Sequence, residues 1–200
     1  MKRNVDLTEI SDGRLYSSGD MVKADCRDCE GCSACCRGMG SSIILDPMDL
    51  WRLYTGIHRD FTSLMSEGYI ELGIVDGMIL PNLKMAGRTD ACPFLNENGR
   101  CSVHGCRPGL CRLFPLGRYY EENGFRYLKS YERYILKWHD FLNECEAALE
   151  TLDEEKTRIL TLYVLRSFYE TAYRAADDRG FYEAFDTRMQ EVREKLGMPA

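Results

Sequence analysis

Nine of the ten cysteines fall between positions 26 and 111, and only Cys145 lies beyond them. The densest group is Cys29-x2-Cys32-x2-Cys35-Cys36. A two-residue spacer lets both thiolates of a pair turn onto one ion while backbone amides face the sulfurs, so this spacing points to metal ligation. A single such pair would also suit a redox couple, but three overlapping pairs, counted from Cys26, do not. The second group is Cys92 followed by Pro93, then Cys101, Cys106 and Cys111, with His104 among them. A secreted disulfide scaffold could use as many cysteines, but the first 20 residues hold no apolar signal core. The thiols are therefore expected to be reduced, in a cytoplasmic protein, and to do metal or redox chemistry.

Seven cysteines are the ligand candidates: Cys29, Cys32, Cys35, Cys36, Cys92, Cys101 and Cys111. As thiolates around one divalent ion they would leave a net charge of about −5, which a partly buried site tolerates poorly. Two ions reduce this to about −3, and four thiolates on a four-iron cluster of charge 2+ leave about −2. The site is thus polynuclear, or some thiols stay protonated in other roles. Arg37, Arg107 and Arg112 each adjoin one of these cysteines or Cys106 and are expected to offset charge and donate to sulfur. The side chains of Cys35 and Cys36 diverge as neighbours, which suits two metals better than one tetrahedral centre. This adjacency and the surplus of thiolates favour an iron–sulfur cluster over a single closed zinc site.

The ordered blocks Cys29-x2-Cys32-x2-Cys35-Cys36, Cys92-Pro93-Phe94-Leu95 and Cys101-x-Val103-His104-x2-Arg107-Pro108-x2-Cys111-Arg112-x-Phe114-Pro115 resemble those of the bacterial YkgJ-type cysteine-cluster proteins, which carry a zinc- or iron-chelating domain. The likeness covers about residues 26–118. It implies metal chelation by the seven cysteines above and leaves Cys26, Cys106 and Cys145 outside the motif. The same domain occurs in flagellin lysine N-methylases, so the resemblance also implies, as an alternative, S-adenosylmethionine-dependent methylation of a protein substrate. Against that stands the lack of a glycine-rich nucleotide loop, for which Gly38-Met39-Gly40 is too short. A third reading is a structural zinc module whose helices bind a protein partner.

The remaining candidates have plainer expectations. Cys145 lies on an apolar helix face and is expected in the core, while Cys106 is open between spare thiol and ligand. For His104 a hydrogen-bonded ring is preferred to ligation, and His58 and His139 have no metal spacing. Tyr119, Tyr120, Tyr127, Tyr131 and Tyr134 are expected to pack rather than to line a substrate site.

The elements that must position these thiols can be read from turn and helix signals. Asp46-Pro47-Met48-Asp49 predicts a helix start running to Gly56, and a second helix spans about residues 60–67. Residues 41–45 suit a strand. Hairpins are predicted at Asp76-Gly77, Asn98-Gly99 and Asn123-Gly124, the middle one bringing Cys92 towards Cys101. From Ile135 the period becomes helical, through Trp138, Leu142, Cys145 and Leu149. Thr151-Leu152-Asp153-Glu154 reads as a capping box for a helix carrying Ile159, Leu160, Tyr163 and Tyr173. A last helix carries Phe181, Phe185, Met189, Val192 and Leu196, ending at Gly197.

The expected organisation is a lead-in (1–25), a metal-nucleated cysteine-cluster domain of short hairpins and helices (26–130), and an extension of about three helices packed on it (131–200), in all an α+β fold. The 200 residues are 44% hydrophobic and 29% charged, with mean hydropathy −0.37, which suits a globular domain. No apolar run reaches membrane-spanning length, so no membrane association is expected. The net charge is −6, and residues 131–200 carry 15 Asp/Glu against 10 Lys/Arg. Nucleic acid is therefore not an expected partner.

Overall fold

A computed structural model describes residues 29, 32–114, 120, 121, 124, 125 and 129–198. The lead-in 1–25, Cys26, Tyr119 and Tyr127 lie outside the described residues. Helix α1 (Pro47–Ile57) opens on a reciprocal cap: Asp49 N donates to Asp46 Oδ1 at 2.9 Å, and Asp46 N donates to Asp49 Oδ2 at 3.2 Å. Pro47 occupies the first helical turn, where no amide donor is needed. The helix buries Met48, Leu50, Trp51 and Leu53 and runs one residue past Gly56, because His58 adopts the left-handed cap at φ 54°. Helix α2 (Phe61–Ser66) is capped by Asp60, whose side chain accepts from Ser63 N at 2.8 Å.

The chain then forms the antiparallel hairpin β1 (Ile70–Val75) and β2 (Met78–Leu83), with Val75 opposite Met78 and Ile70 opposite Leu83. Asp76 and Gly77 both have positive φ, 49° and 78°, the mirror-image turn that an Asp-Gly pair favours. A side chain at Gly77 would press on Leu149 Cδ1 at 2.7 Å, so the hairpin tip is seated on the end of a C-terminal helix. β2 is buried along most of its length, while β1 turns Leu72 and Ile74 to solvent. Residues 41–45 do not become a full strand. They pair with the other edge of β2 only locally, through Leu45 N to Pro81 O (2.9 Å) and Leu83 N to Ile43 O (3.0 Å). Pro81 has no amide to donate, which limits how far the ladder extends.

The predicted hairpin at Asn98-Gly99 is a loop with one bridge, Leu95 to Cys101, rather than two strands. Asn96 Oδ1 accepts from Asn98 N and Arg100 N, so the side chain takes up donors a ladder would have used. A short helix α3 (Gly109–Leu113) follows. Strands β3 (Tyr120–Glu121) and β4 (Gly124–Phe125) pair Glu121 with Gly124, so Gly124 belongs to the strand, and Asn123 lies outside the described residues.

Three long C-terminal helices complete the α+β fold. They are α4 (Lys129–Leu149), α5 (Glu154–Leu165), which continues as a π-helical turn at Arg166–Glu170, and α6 (Asp178–Leu196). The cap of α5 is Asp153, which accepts from Lys156 N at 2.9 Å; Thr151 instead donates to Ala148 O, closing α4. Leu160 and Val164 set the buried phase of α5, leaving Ile159 exposed, and Tyr173 is buried beyond the helix. Trp138, Phe141, Phe168 and Phe185 form an aromatic centre, with Trp138 edge-on to Phe168 at 4.9 Å. Trp51 meets Phe181 at 5.1 Å, joining α1 to α6, and the buried residues of both halves belong to one hydrophobic cluster. Among the described residues no helix is long and apolar enough to cross a membrane.

Candidate metal centre

Two described residues of the first cysteine block take left-handed backbone conformations. Cys29 and Ser33 have φ of 62° and 45°, a region L-residues seldom adopt, and a 3-10 turn at Ala34–Cys36 follows. This block is strapped to the second through its backbone. Cys92 N donates to Cys36 O at 2.8 Å, Gly38 N donates to Asp90 O at 2.9 Å, and Gly40 N donates to Asp90 Oδ2 at 2.7 Å. Phe94, two residues after Cys92, stacks on Tyr69 at 4.9 Å and anchors the strap to the hairpin layer. Ser102 N returns to Phe94 O at 2.8 Å and brings Cys101 back beside the first block.

Six of the seven candidate thiols, those of Cys29, Cys32, Cys35, Cys36, Cys101 and Cys111, line one small cavity of about 10 Å3 together with Arg107 and Phe114. Cys92 is buried beside it, close enough to Cys35, Cys36 and Cys111 for the charges to oppose one another. Among the described residues, no group of three or more His, Cys, Asp or Glu side chains is already set to hold a metal ion.

The thiols of the cavity act on one another's ionisation. A hydrogen bond from Cys36 lowers the Cys35 thiol well below its ordinary value, against the opposing effect of burial. The same bond, then burial and the neighbouring thiols, push Cys36 up. At Cys92, Cys101 and Cys111 burial is the largest cause: it raises Cys92 to about 11, and raises Cys101 and Cys111 with help from neighbouring sulfurs. Deprotonating Cys35 therefore opposes deprotonating Cys36 beside it. Arg107 brings positive charge to Cys35 and Cys101. Its Nη1 donates to Cys29 Sγ at 3.0 Å, and its Nε is buried with no hydrogen-bond partner among the described residues. A buried orphan donor beside six thiols suits a centre that becomes more anionic on ligation.

The other candidate residues sit outside the lining of the thiol cavity. Arg37 does not turn to sulfur: its guanidinium donates to Thr89 Oγ1 at 3.1 Å on the surface. Arg112 acts on buried Asp49, whose carboxyl burial and the Asp46 charge raise and which Arg112 draws down. Cys106 is not on the thiol cavity. It packs against α1, where a Cβ at Gly56 would overlap it, and lines a separate open groove with Trp51 and Arg52. The thiol-cavity lining does not include His104. His139 shares a hydrogen bond with Asn143, and Cys145 is fully buried in the helical core.

Sequence reasoning missed Asp49. Its capping pattern was legible, but not its second bond, from Gly109 N to Oδ1 at 2.7 Å, which reaches the helix that carries Cys111.

Neither a curated protein nor a solved structure matches the chain. A family model described as "CxxCxxCC: Putative zinc- or iron-chelating domain" matches residues 28–134, more than half of the 200 residues. That span contains both cysteine blocks, the strap between them and the arginine that bridges them, and the chain belongs to this CxxCxxCC family.

Proposed function

We propose that the thiol cavity is a closed metal-chelating centre for zinc or iron, with Cys29, Cys32, Cys35, Cys36, Cys92, Cys101 and Cys111 as the ligand pool. The observation that carries this reading is six thiols around one cavity, with Arg107 donating to one of them. A space of about 10 Å3 is that of one water-sized sphere, which suits a discrete ion better than a four-iron cluster. Thiols beyond the four of a closed tetrahedral site then remain protonated, as burial favours for Cys92.

A second reading, an iron–sulfur cluster, is favoured by the number of thiols, which exceeds what one zinc ion requires. It requires a wider space among the thiols than about 10 Å3. Metal analysis and the visible spectrum of protein purified without oxygen separate the two. Colourless protein with stoichiometric zinc supports the closed site, and brown protein whose absorption bleaches on reduction supports the cluster. Protein with neither metal, after growth with both supplied, overturns chelation. A small-molecule ligand takes a pocket of roughly 300–1,000 Å3. The thiol cavity provides no such room, so nothing in its dimensions supports S-adenosylmethionine there.

A further inference from the structure

Asp49 is 2% exposed, and both its carboxylate oxygens are engaged. Oδ2 accepts from Asp46 N, which completes the cap of α1, and Oδ1 accepts from Gly109 N, 60 positions away. Capping needs only the first bond, so it does not explain a buried carboxylate held across to another element. Gly109 opens α3, a helix of five residues whose N-cap is Pro108, with no side-chain cap of its own. A helix that short has no stability by itself and takes its orientation from what it is tied to. Cys111 sits on α3, two residues after the tied amide.

The restraint continues in the other direction. Asp46 Oδ1 accepts from Tyr134 Oη at 3.2 Å, and Met48 N donates to the same hydroxyl at 3.0 Å. Tyr134 belongs to α4, is buried, and packs edge-on to Phe185 at 4.6 Å. A continuous path therefore runs from the aromatic centre of the C-terminal helices through Tyr134, Asp46 and Asp49 to the Gly109 amide. All four residues lie within the matched span 28–134.

We propose that Asp49 is a positioning residue of the metal centre: through the Gly109 amide it fixes α3 so that Cys111 faces the thiol cavity, and Tyr134 anchors that restraint in the helical layer. This rests on the reading of Cys111 as a ligand.

The test uses the full chain and two readouts. The first is zinc affinity, by competition with a chromogenic chelator. The second is the alkylation rate of Cys111 in metal-free protein, mapped by peptide mass spectrometry against Cys106, which sits away from the cavity. Asp49→Ala should lower zinc affinity about 10- to 100-fold, as loss of an outer-shell partner does. It should also speed labelling of Cys111 several-fold relative to Cys106. Asp49→Asn, which keeps an oxygen for the Gly109 amide, should recover most of both. Tyr134→Phe should move both in the same direction by less, and it decides the matter if Asp49→Ala does not fold. A cap with no positioning role would lower the melting temperature and leave the Cys111 to Cys106 ratio unchanged. That ratio, unchanged together with zinc affinity in any folded Asp49→Ala or Tyr134→Phe protein, overturns the proposal. If the wild type takes up no metal, the chelation reading fails, and the labelling ratio alone decides the role of Asp49.

Discussion

Arg107 donates from Nη1 to Cys29 Sγ at 3.0 Å and so joins the two cysteine blocks across 78 positions of chain. A guanidinium in this place offsets thiolate charge and holds the most N-terminal ligand candidate against the rest. Arg107→Gln removes the charge and should weaken metal binding about 10- to 100-fold in a chelator competition. Arg37→Gln is the matched control, because Arg37 also adjoins a cysteine yet bonds Thr89 on the surface. Its affinity should stay within about twofold of the wild type. Equal losses in both variants would mean that general charge, and not the Cys29 contact, matters.

The contrast between those two arginines shows what the sequence could and could not reveal. Adjacency to cysteine marked Arg37, Arg107 and Arg112 alike. Which of them reaches sulfur depends on the strap between residues 36–40 and 86–92, whose long-range backbone bonds leave no local pattern. Elements with strong local chemistry were legible: the Asp46 cap, the Asp76-Gly77 turn, and the faces carrying Trp138 and Phe185. The hairpin at Asn98-Gly99 was only half legible, since a turn dipeptide says where the chain reverses but not whether Asn96 will consume the ladder donors. Asp49 was missed because its bond to Gly109 connects two segments that each look complete alone.

The ligand pool can be tested residue by residue. Cys32→Ser and Cys111→Ser should each reduce metal per chain to less than about half, since a serine hydroxyl is a far poorer ligand for zinc or iron than a thiolate. Cys145→Ser should keep full stoichiometry, because that thiol is buried in the helical core. Cys106→Ser should keep it too, because that thiol packs on α1. Metal content by mass spectrometry of the purified variants decides this. A Cys106→Ser protein that comes out empty would place the centre on the other side of residues 104–106.

Removing metal should loosen one region and spare another. Residues 43–83 are tied into the shared apolar core, with Ile43, Leu45, Met48, Leu53, Leu64, Met78 and Leu83 nearly inaccessible. Residues 86–114 fully bury only Cys92, Phe94, Val103, Pro108 and Gly109, so they are expected to depend on ligation for stability. After chelation, limited proteolysis should cut first within about residues 86–114, while fragments containing α1, α2 and the β1–β2 hairpin persist. Circular dichroism should lose little helix, because α4, α5 and α6 pack through their aromatic centre. An identical digestion pattern in verified metal-free protein would show that the cysteine strap folds without metal.

The last expectation concerns alkaline pH and the buried thiol of the helical core. Burial, reinforced by the Glu144 charge and opposed by Arg193, pushes Cys145 up to about 12, and burial also raises Tyr169 and Tyr173. Each of these groups holds its proton more tightly in the folded chain than in the unfolded one. Below about pH 9 both states are protonated at Cys145, and its contribution to stability is fully present. Above that the unfolded chain releases the proton while the folded chain keeps it, so stability falls as pH rises towards about 12. Cys145→Ala should lose on the order of 1 kcal/mol at neutral pH by leaving a small void. It should also decline less steeply between about pH 9 and 11, by up to about 1.4 kcal/mol per pH unit, the slope of one proton. Urea midpoints of both proteins across this range measure the difference. Parallel slopes would mean that Cys145 ionises as easily in the folded chain as in the unfolded one, and that the core around it is open to water.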